Sequence, residues 1–402
     1  MSTIKRISAE VIRDSRGENT VEATVVLEND LAGTASVPSG KSKGLHEAYV
    51  VGSDSAVRFI EVDLRRYLEE KSFESQSEFD GALVSFDGTP EKTRFGANTL
   101  LALSAAYAKT AAKETSNPLF AYIEQALGTD TDRGDLRLYA NIVNGGVHAK
   151  TNLRFQEHLV IPEFSTLATQ IDQIKKLYAL AGEKIKDMYG GYGIKIGDEG
   201  GYALDWLSED KPLEMLKSVK DILGYKGMVF GIDAAASNIT GVLDDELLRM
   251  YEEWAGKYDL AYLEDPFQEE HFESFNKLKE RLPKVKIVGD DLTTTNVDLM
   301  EKARQAESIN GVIIKPNQIG TISEALEAVR VARRNGWTVI VSHRSGETMD
   351  DWIADFAVGV GADGFKLGAP ARPERLAKYD RLLKIEQEML APSQSHYNEV
   401  SF

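Results

Sequence analysis

Six short apolar runs, GMVFGID, LAYLED, KIVGD, GVIIK, TVIVSH and DGFK, close on Asp233, Glu264, Asp290, Lys315, His343 and Lys366. These six polar residues lie 31, 26, 25, 28 and 23 positions apart. The interval is that of one strand plus one helix. A parallel βα repeat therefore brings all six to the same end of one sheet, the end where such folds place their active sites. The best-marked helix between runs is 321–336. Thr321 and Glu324 form a capping pattern, Ile322, Ala325, Leu326, Val329 and Ala332 make an apolar stripe, and Gly336 suits a left-handed stop. Helical patterns also fit 167–189, 213–223, 244–257, 270–281, 296–306 and 350–360. Six or more βα steps predict a (β/α) barrel rather than an open sheet.

The chain before the barrel reads differently. Residues 3–12, 20–28 and 31–37 alternate apolar and polar, with turns near Ser15–Gly17 and Glu28–Asp30, the pattern of an antiparallel meander. From Ser53 to Leu127 the pattern is helical and is broken at Asn117–Pro118. The expected organisation is an α+β unit over 1–127, a polar boundary at Gly128–Arg137, and a barrel over 138–402. A length of 402 residues suits two such units.

A net charge of −17 with no basic stripe argues against nucleic-acid binding. The absence of cysteine excludes disulfides and thiolate chemistry and fits a reducing compartment. The opening MSTIKRISAEVIRDSRG lacks the apolar core of a secretory signal, and no stretch approaches the ~20 apolar residues of a membrane span. A cytoplasmic location is the expectation.

Asp233, Glu264 and Asp290 offer only oxygen, the ligand type of a hard cation such as Mg²⁺. Zinc would call for His or Cys, and neither HxH nor HExxH occurs. Singly, a strand-end Asp is a cap and a strand-end Lys a snorkelling surface residue; three carboxylates at successive βα steps outweigh that reading. Lys315 beside a divalent cation would have its pKa lowered toward that of a working base by desolvation and positive charge. Arg344 offers a planar fork for phosphate, Ser345 a hydroxyl, and Lys366 a second cation beside them. A substrate carrying both phosphate and carboxylate follows. In Asp198-Glu199-Gly200-Gly201, Glu199 is either a general acid or base or part of a structural turn. Asn144–His148 and Gln156-Glu157-His158 add a second polar group. Pro38–Gly44 contains Gly-Lys-Ser, but Gly33 and Gly40 enclose six residues where a P-loop needs four. A mobile loop that folds over the active site fits better.

With these residues assembled, the chain resembles the enolases. The blocks RDSRGE, PSGKSKG, FGANTLLALS, NIVNGGVHAK, QEHLVIP, GDEGG, LEDPF, VGDDLT, IIKPNQIGT, SHRSGET and KLGAPARPERLAKY run in the family's order nearly end to end. The resemblance implies a small N-terminal α+β domain and an α/β C-terminal TIM-like barrel of the irregular form ββαα(βα)₆. It implies reversible dehydration of 2-phosphoglycerate to phosphoenolpyruvate, with Lys315 as the base at carbon 2 and Glu199 as the acid at carbon 3, partnered by Glu157. Asp233, Glu264 and Asp290 would hold the tighter Mg²⁺. Ser42 would join a second Mg²⁺ that binds with substrate. His148, His343, Arg344, Ser345 and Lys366 would contact substrate. A homodimer or higher homo-oligomer is implied as well.

The chain departs from the family at several places. Lys41 and Lys43 stand where Ala and Thr are common, and Val147 where Ser is usual. Pro316 follows the lysine, Tyr202-Ala203-Leu204-Asp205 replaces Phe-Ala-Pro-Asn, and His158 takes the place of Phe. An enolase-like lyase acting on another 2-substituted carboxylate, and a non-catalytic enolase-like binding protein, are the competing readings.

Overall fold

The computed structural model describes residues 2–41, 44–128, 136–190 and 194–391. Most of the expected boundary segment falls on 129–135, outside the described residues, as do Ser42 and Lys43.

The chain opens with three antiparallel strands in the order β1 (Ile4–Arg13), β2 (Asn19–Leu27), β3 (Ala32–Ser36). The helix Ala97–Glu114, rich in Ala and Leu, lies against β2 and β3, and almost every residue of its first four turns is buried. The helices Gln76–Asp87 and Leu119–Leu127 flank it. The latter begins after Pro118, whose ring cannot continue the preceding helix, and stops at Gly128 with φ +69.

The remaining strands are β4 (Arg137–Asn144), β5 (Glu157–Ile161), β6 (Lys195–Ile196), β7 (Tyr202–Ala203), β8 (Val229–Asp233), β9 (Leu260–Glu264), β10 (Lys286–Gly289), β11 (Gly311–Ile314), β12 (Thr338–Ser342) and β13 (Gly364–Lys366). Eight of them close a barrel in the order β4-β5-β8-β9-β10-β11-β12-β13, with β13 pairing back onto β4. Only β5 runs against its neighbours. Two helices, Leu167–Tyr189 and Lys211–Leu223, follow β5, and each later barrel strand is followed by a helix. This is the ββαα(βα)₆ form that the resemblance implied. The β6–β7 ribbon attaches to β4 through Val143 and Tyr202.

The strand period of two decides what the barrel contains. Tyr139, Leu159, Ile161, Tyr262, Val288, Ile313 and Ile340 form one buried cluster, the apolar plug of the barrel. Glu157, Glu264, Asp290 and Lys315 share parity with members of that plug on their own stretches of chain, so they project inward one layer above it. Space for the two tyrosines comes from Gly231 and Gly364, which pack directly on Tyr262 and Tyr139. A larger cluster fills the layer between strands and helices and continues into the N-terminal unit.

The two parts are joined by polar bonds at the start of the helix Ile322–Arg334. Asp80 accepts from Ser323 N (2.9 Å) and Oγ (2.6 Å), and Ser104 Oγ accepts from Ile322 N at 3.0 Å. Thr321 Oγ1 accepts from Glu324 N at 3.2 Å, the N-cap expected there. Lys92 pairs with Glu324 at 2.7 Å.

His158 is fully buried on the outward face of β5, with neither ring nitrogen hydrogen-bonded. Burial pushes its pKa from 6.5 down to about 4. A base whose folded pKa is depressed contributes stability that is complete above its unfolded pKa and is lost as pH falls through the folded one. Between pH 6.5 and 4 the protein should therefore lose about 3 kcal/mol more stability than His158→Phe. Urea unfolding of both proteins across that range measures the difference.

Candidate active site

The barrel mouth gathers carboxylates that like-charge repulsion would scatter, and two ammonium groups hold them. Lys366, at the end of β13, reaches Asp233 Oδ2 and Glu264 Oε2 at 2.8 Å each and Glu157 Oε1 at 3.1 Å. Lys315, after β11, is bonded to Asp290 Oδ2. All six groups are buried. Further donors fix the carboxylates: Gln156 Nε2 to Asp233 (3.1 Å), Tyr262 Oη to Glu264 (2.5 Å) and Gln318 Nε2 to Asp290 (3.0 Å). Asp265 turns away and accepts the backbone N–H of Asp290 (3.0 Å) and Asp291 (2.6 Å), which sets the turn after β10.

Lys366 neutralises the carboxylates of β5, β8 and β9 across the mouth, while its backbone carbonyl accepts from His343 N at 3.0 Å, next to Arg344. Burial pulls the Lys315 pKa down, but the charge of Asp290 outweighs that and raises it; the lowering expected of Lys315 belongs to the site with its cation bound.

Asp233, Glu264 and Asp290 occupy successive strand ends, as predicted. Their arrangement suits a hard cation in one respect above all: Glu264 Oε1 is buried without a hydrogen-bond partner. Burial and the charge of Asp233 raise the Glu264 pKa to about 7, the mark of a carboxylate short of positive charge. Among the described residues, the acidic sets whose ligand atoms all fall within 4.8 Å are His148–Glu157–Glu199 and Asp265–Asp290–Asp291. The predicted trio is not among these sets.

Across the mouth stands a second cluster. Glu157 opens β5, which lies four strands from β11 in either direction around the ring, so Glu157 and Lys315 are on opposite walls. Glu199 sits in the turn after β6, where Gly200 takes φ +90, a geometry that glycine adopts without strain. Asn141 Nδ2 donates to Glu199 at 3.0 Å. His148 Nδ1 lies 3.5 Å from Glu199 and 3.7 Å from Glu157, and His343 Nε2 lies 3.6 Å from Glu199. Burial and the charge of Glu199 push Glu157 well above the carboxylate range. Glu199 is equally buried, yet His148, His343 and Arg375 bring it well below. Burial lowers both imidazoles, His343 to about 4, so near neutral pH they face Glu199 as uncharged rings.

The third part is a seam between the N-terminal unit and the barrel. Ser39 and Gly346 exchange backbone hydrogen bonds at 2.7 and 2.9 Å, and Ser345 Oγ accepts from Lys41 N at 2.9 Å. Gly40 lies so close to the Arg344 guanidinium that a Cβ would overlap it. Arg344 presents the predicted fork, and Glu47 takes both prongs at 3.0 and 3.2 Å. Lys41 Nζ reaches Asp198 Oδ2 at 3.1 Å, beside Glu199. Ser42 lies outside the described residues.

Glu47, Asn141, Tyr262, Gln318 and Arg375 were not singled out from sequence. Each supports another functional group, and no spacing rule marks such a residue. Membership in the blocks NIVNGGVHAK, IIKPNQIGT and KLGAPARPERLAKY was the only signal for three of them.

The turn bearing His343, Arg344 and Ser345 rests on a buried pair. Lys378 Nζ meets Glu347 Oε2 at 2.9 Å and Thr348 O at 2.6 Å, while Glu347 Oε1 accepts from Arg344 N at 3.1 Å. Lys378→Met strands Glu347 and should cost about 3–5 kcal/mol in denaturant unfolding.

Comparison with known proteins finds two family models along the chain. "Enolase, N-terminal domain" matches residues 4–123, and "Enolase, C-terminal TIM barrel domain" matches 138–246 and 240–402. Among curated proteins, the enolase of Methanopyrus kandleri is 38% identical, covering 97% of this chain and 96% of its own. That of Sulfurisphaera tokodaii is 39% identical, with 96% of each chain covered. That of Mastigamoeba balamuthi is 35% identical over 99% and 98%.

Proposed function

The chain belongs to the enolase family, and we propose that it catalyses the reversible, Mg²⁺-dependent dehydration of 2-phosphoglycerate to phosphoenolpyruvate. The observation that carries this reading is the placement of Lys315 and the Glu157–Glu199 pair on opposite walls of one buried mouth. Removal of a proton from carbon 2 and loss of hydroxide from carbon 3 require a base and an acid on the two sides of the substrate.

Asp233, Glu264 and Asp290 would hold the first Mg²⁺, with the unpartnered Glu264 Oε1 as one ligand atom; Ser42 is assigned to the second. Bound there, Mg²⁺ supplies positive charge to the substrate carboxylate as negative charge develops on it. Lys315 takes the carbon-2 proton as the uncharged amine; release of Asp290 removes the charge that raises its pKa, so that the ammonium can first give its proton to solvent. Burial and the charge of Glu199 raise the Glu157 pKa well above the ordinary carboxylate value, which favours a proton shared by the glutamate pair that Glu199 would pass to the departing hydroxide. Arg344 and Ser345 receive the phosphate, Glu47 yielding the fork to it. His148, His343 and Lys366 line the remaining wall. Among the described residues no helix is long and apolar enough to cross a membrane. A cytoplasmic homo-oligomer belongs to this reading on the strength of the family resemblance.

Purified protein with Mg²⁺ should form phosphoenolpyruvate from 2-phosphoglycerate, read by its ultraviolet absorbance. No turnover by folded protein at saturating Mg²⁺ overturns the reading and favours the binding-protein alternative. Lys315→Ala should abolish exchange of the carbon-2 proton with solvent, followed by NMR in D₂O; undiminished exchange removes Lys315 as the base.

Lys41 replaces a small residue of the family and reaches the Glu199 turn through Asp198. Their side chains are 45% and 25% exposed, so the pair is weak and screened by salt. Lys41→Ala should raise KM about 2- to 5-fold at low ionic strength and leave little difference at 1 M salt. Steady-state kinetics at the two salt concentrations test this.

A further inference from the structure

Arg375 lies on the helix Pro373–Leu390 and is fully buried behind the mouth. Its guanidinium meets His343 Nδ1 at 2.6 Å and the carbonyls of Arg344 (2.7 Å), Ser345 (2.7 Å) and Asp198 (3.3 Å). A guanidinium has donors only and keeps its charge in proteins. The short contact with Nδ1 therefore requires that nitrogen to be the acceptor, so Nδ1 carries no proton. The ring's proton must then sit on Nε2, which is buried without a partner and faces Glu199 Oε2 at 3.6 Å.

We infer that Arg375 is a positioning residue that fixes His343 as the neutral Nε2–H tautomer, making His343 a hydrogen-bond donor into the site and not an acid that cycles through imidazolium. The charged groups facing the ring are Glu199 on the Nε2 side, Arg375 on the Nδ1 side, and Glu347, itself paired with Lys378. An imidazolium would need to place an N–H against the Arg375 cation, in a buried setting where two like charges lie within 3 Å. The same guanidinium pins the Asp198 carbonyl, so one side chain registers the Glu199 turn against the His343–Ser345 turn. The assignment of a catalytic consequence rests on the proposed function; the tautomer does not.

The test is nitrogen-15 NMR of the full-length protein labelled at histidine, with His343 assigned by its loss in His343→Gln. In the wild type the His343 Nδ1 signal should be that of an unprotonated ring nitrogen from pH 5 to 9. A protonated Nδ1 anywhere in that range overturns the inference, and this measurement needs neither a variant of Arg375 nor turnover. Arg375→Met should let Nδ1 take up a proton, move the titration of His343 upward while burial still holds it below its ordinary range, and lower kcat ~10- to 100-fold with a smaller change in KM. Arg375→Lys, which keeps a donor, should recover the wild-type tautomer. If folded Arg375→Met retains the wild-type tautomer and pH profile, Arg375 does not set the ring. If the wild-type tautomer is as stated but 2-phosphoglycerate is not turned over, the proposed function falls and the positioning role stands.

Discussion

The Lys366 ammonium is the interaction on which the barrel mouth depends. Asp233, Glu264 and Glu157 come from three adjacent strands and are all withdrawn from water. Without a shared cation, their mutual repulsion at low dielectric would oppose closure of the ring. Lys366 offers three donors from a single point, which is what three converging oxygens require. Lys315 does the same for Asp290 alone. The strands can therefore close with their functional residues inward because each concentration of negative charge has a lysine at its centre. The cost is an arrangement in which the base itself is tied to a carboxylate.

Much of the fold was legible because two periods run through the sequence without conflict. The strand–helix interval predicted the barrel, and the structure adds that Asp290, Lys315 and Glu264 share the parity of the buried Val288, Ile313 and Tyr262. The capped helix at Thr321 and the stop at Gly336, with φ +65, followed from local chemistry that tertiary contacts leave alone. The antiparallel course of β5 was not legible from the pattern. EHLVI is a buried run with no polarity to show its direction, and the family resemblance supplied it.

The site divides similarly. Residues that end strands could be found by counting. Partners that orient them could not, because their contacts are set by closure of the ring: Asn141 meets Glu199 from 58 positions away and Tyr262 lies only two from Glu264, with no common rule. Charge state was the least legible quantity. The sequence reading weighed burial and a bound cation on Lys315 and left out the charge of Asp290, which outweighs burial and raises the lysine's pKa. The pairing partner, more than burial, decided the sign.

The reversal of β5 also has a bearing on how the site is assembled. His148 and Glu157 are nine positions apart and are brought together by one antiparallel hairpin, a contact of low sequence separation. Lys366 must find Asp233 across 133 positions and Glu264 across 102. Loop-closure entropy makes the first association the cheaper one and defers the second until the last strand docks. One turned strand thus gives the centre a His148–Glu157 edge that its own neighbourhood can form, whereas the contacts made by Lys366, His343 and Arg375 exist only once the whole chain has been drawn into the ring.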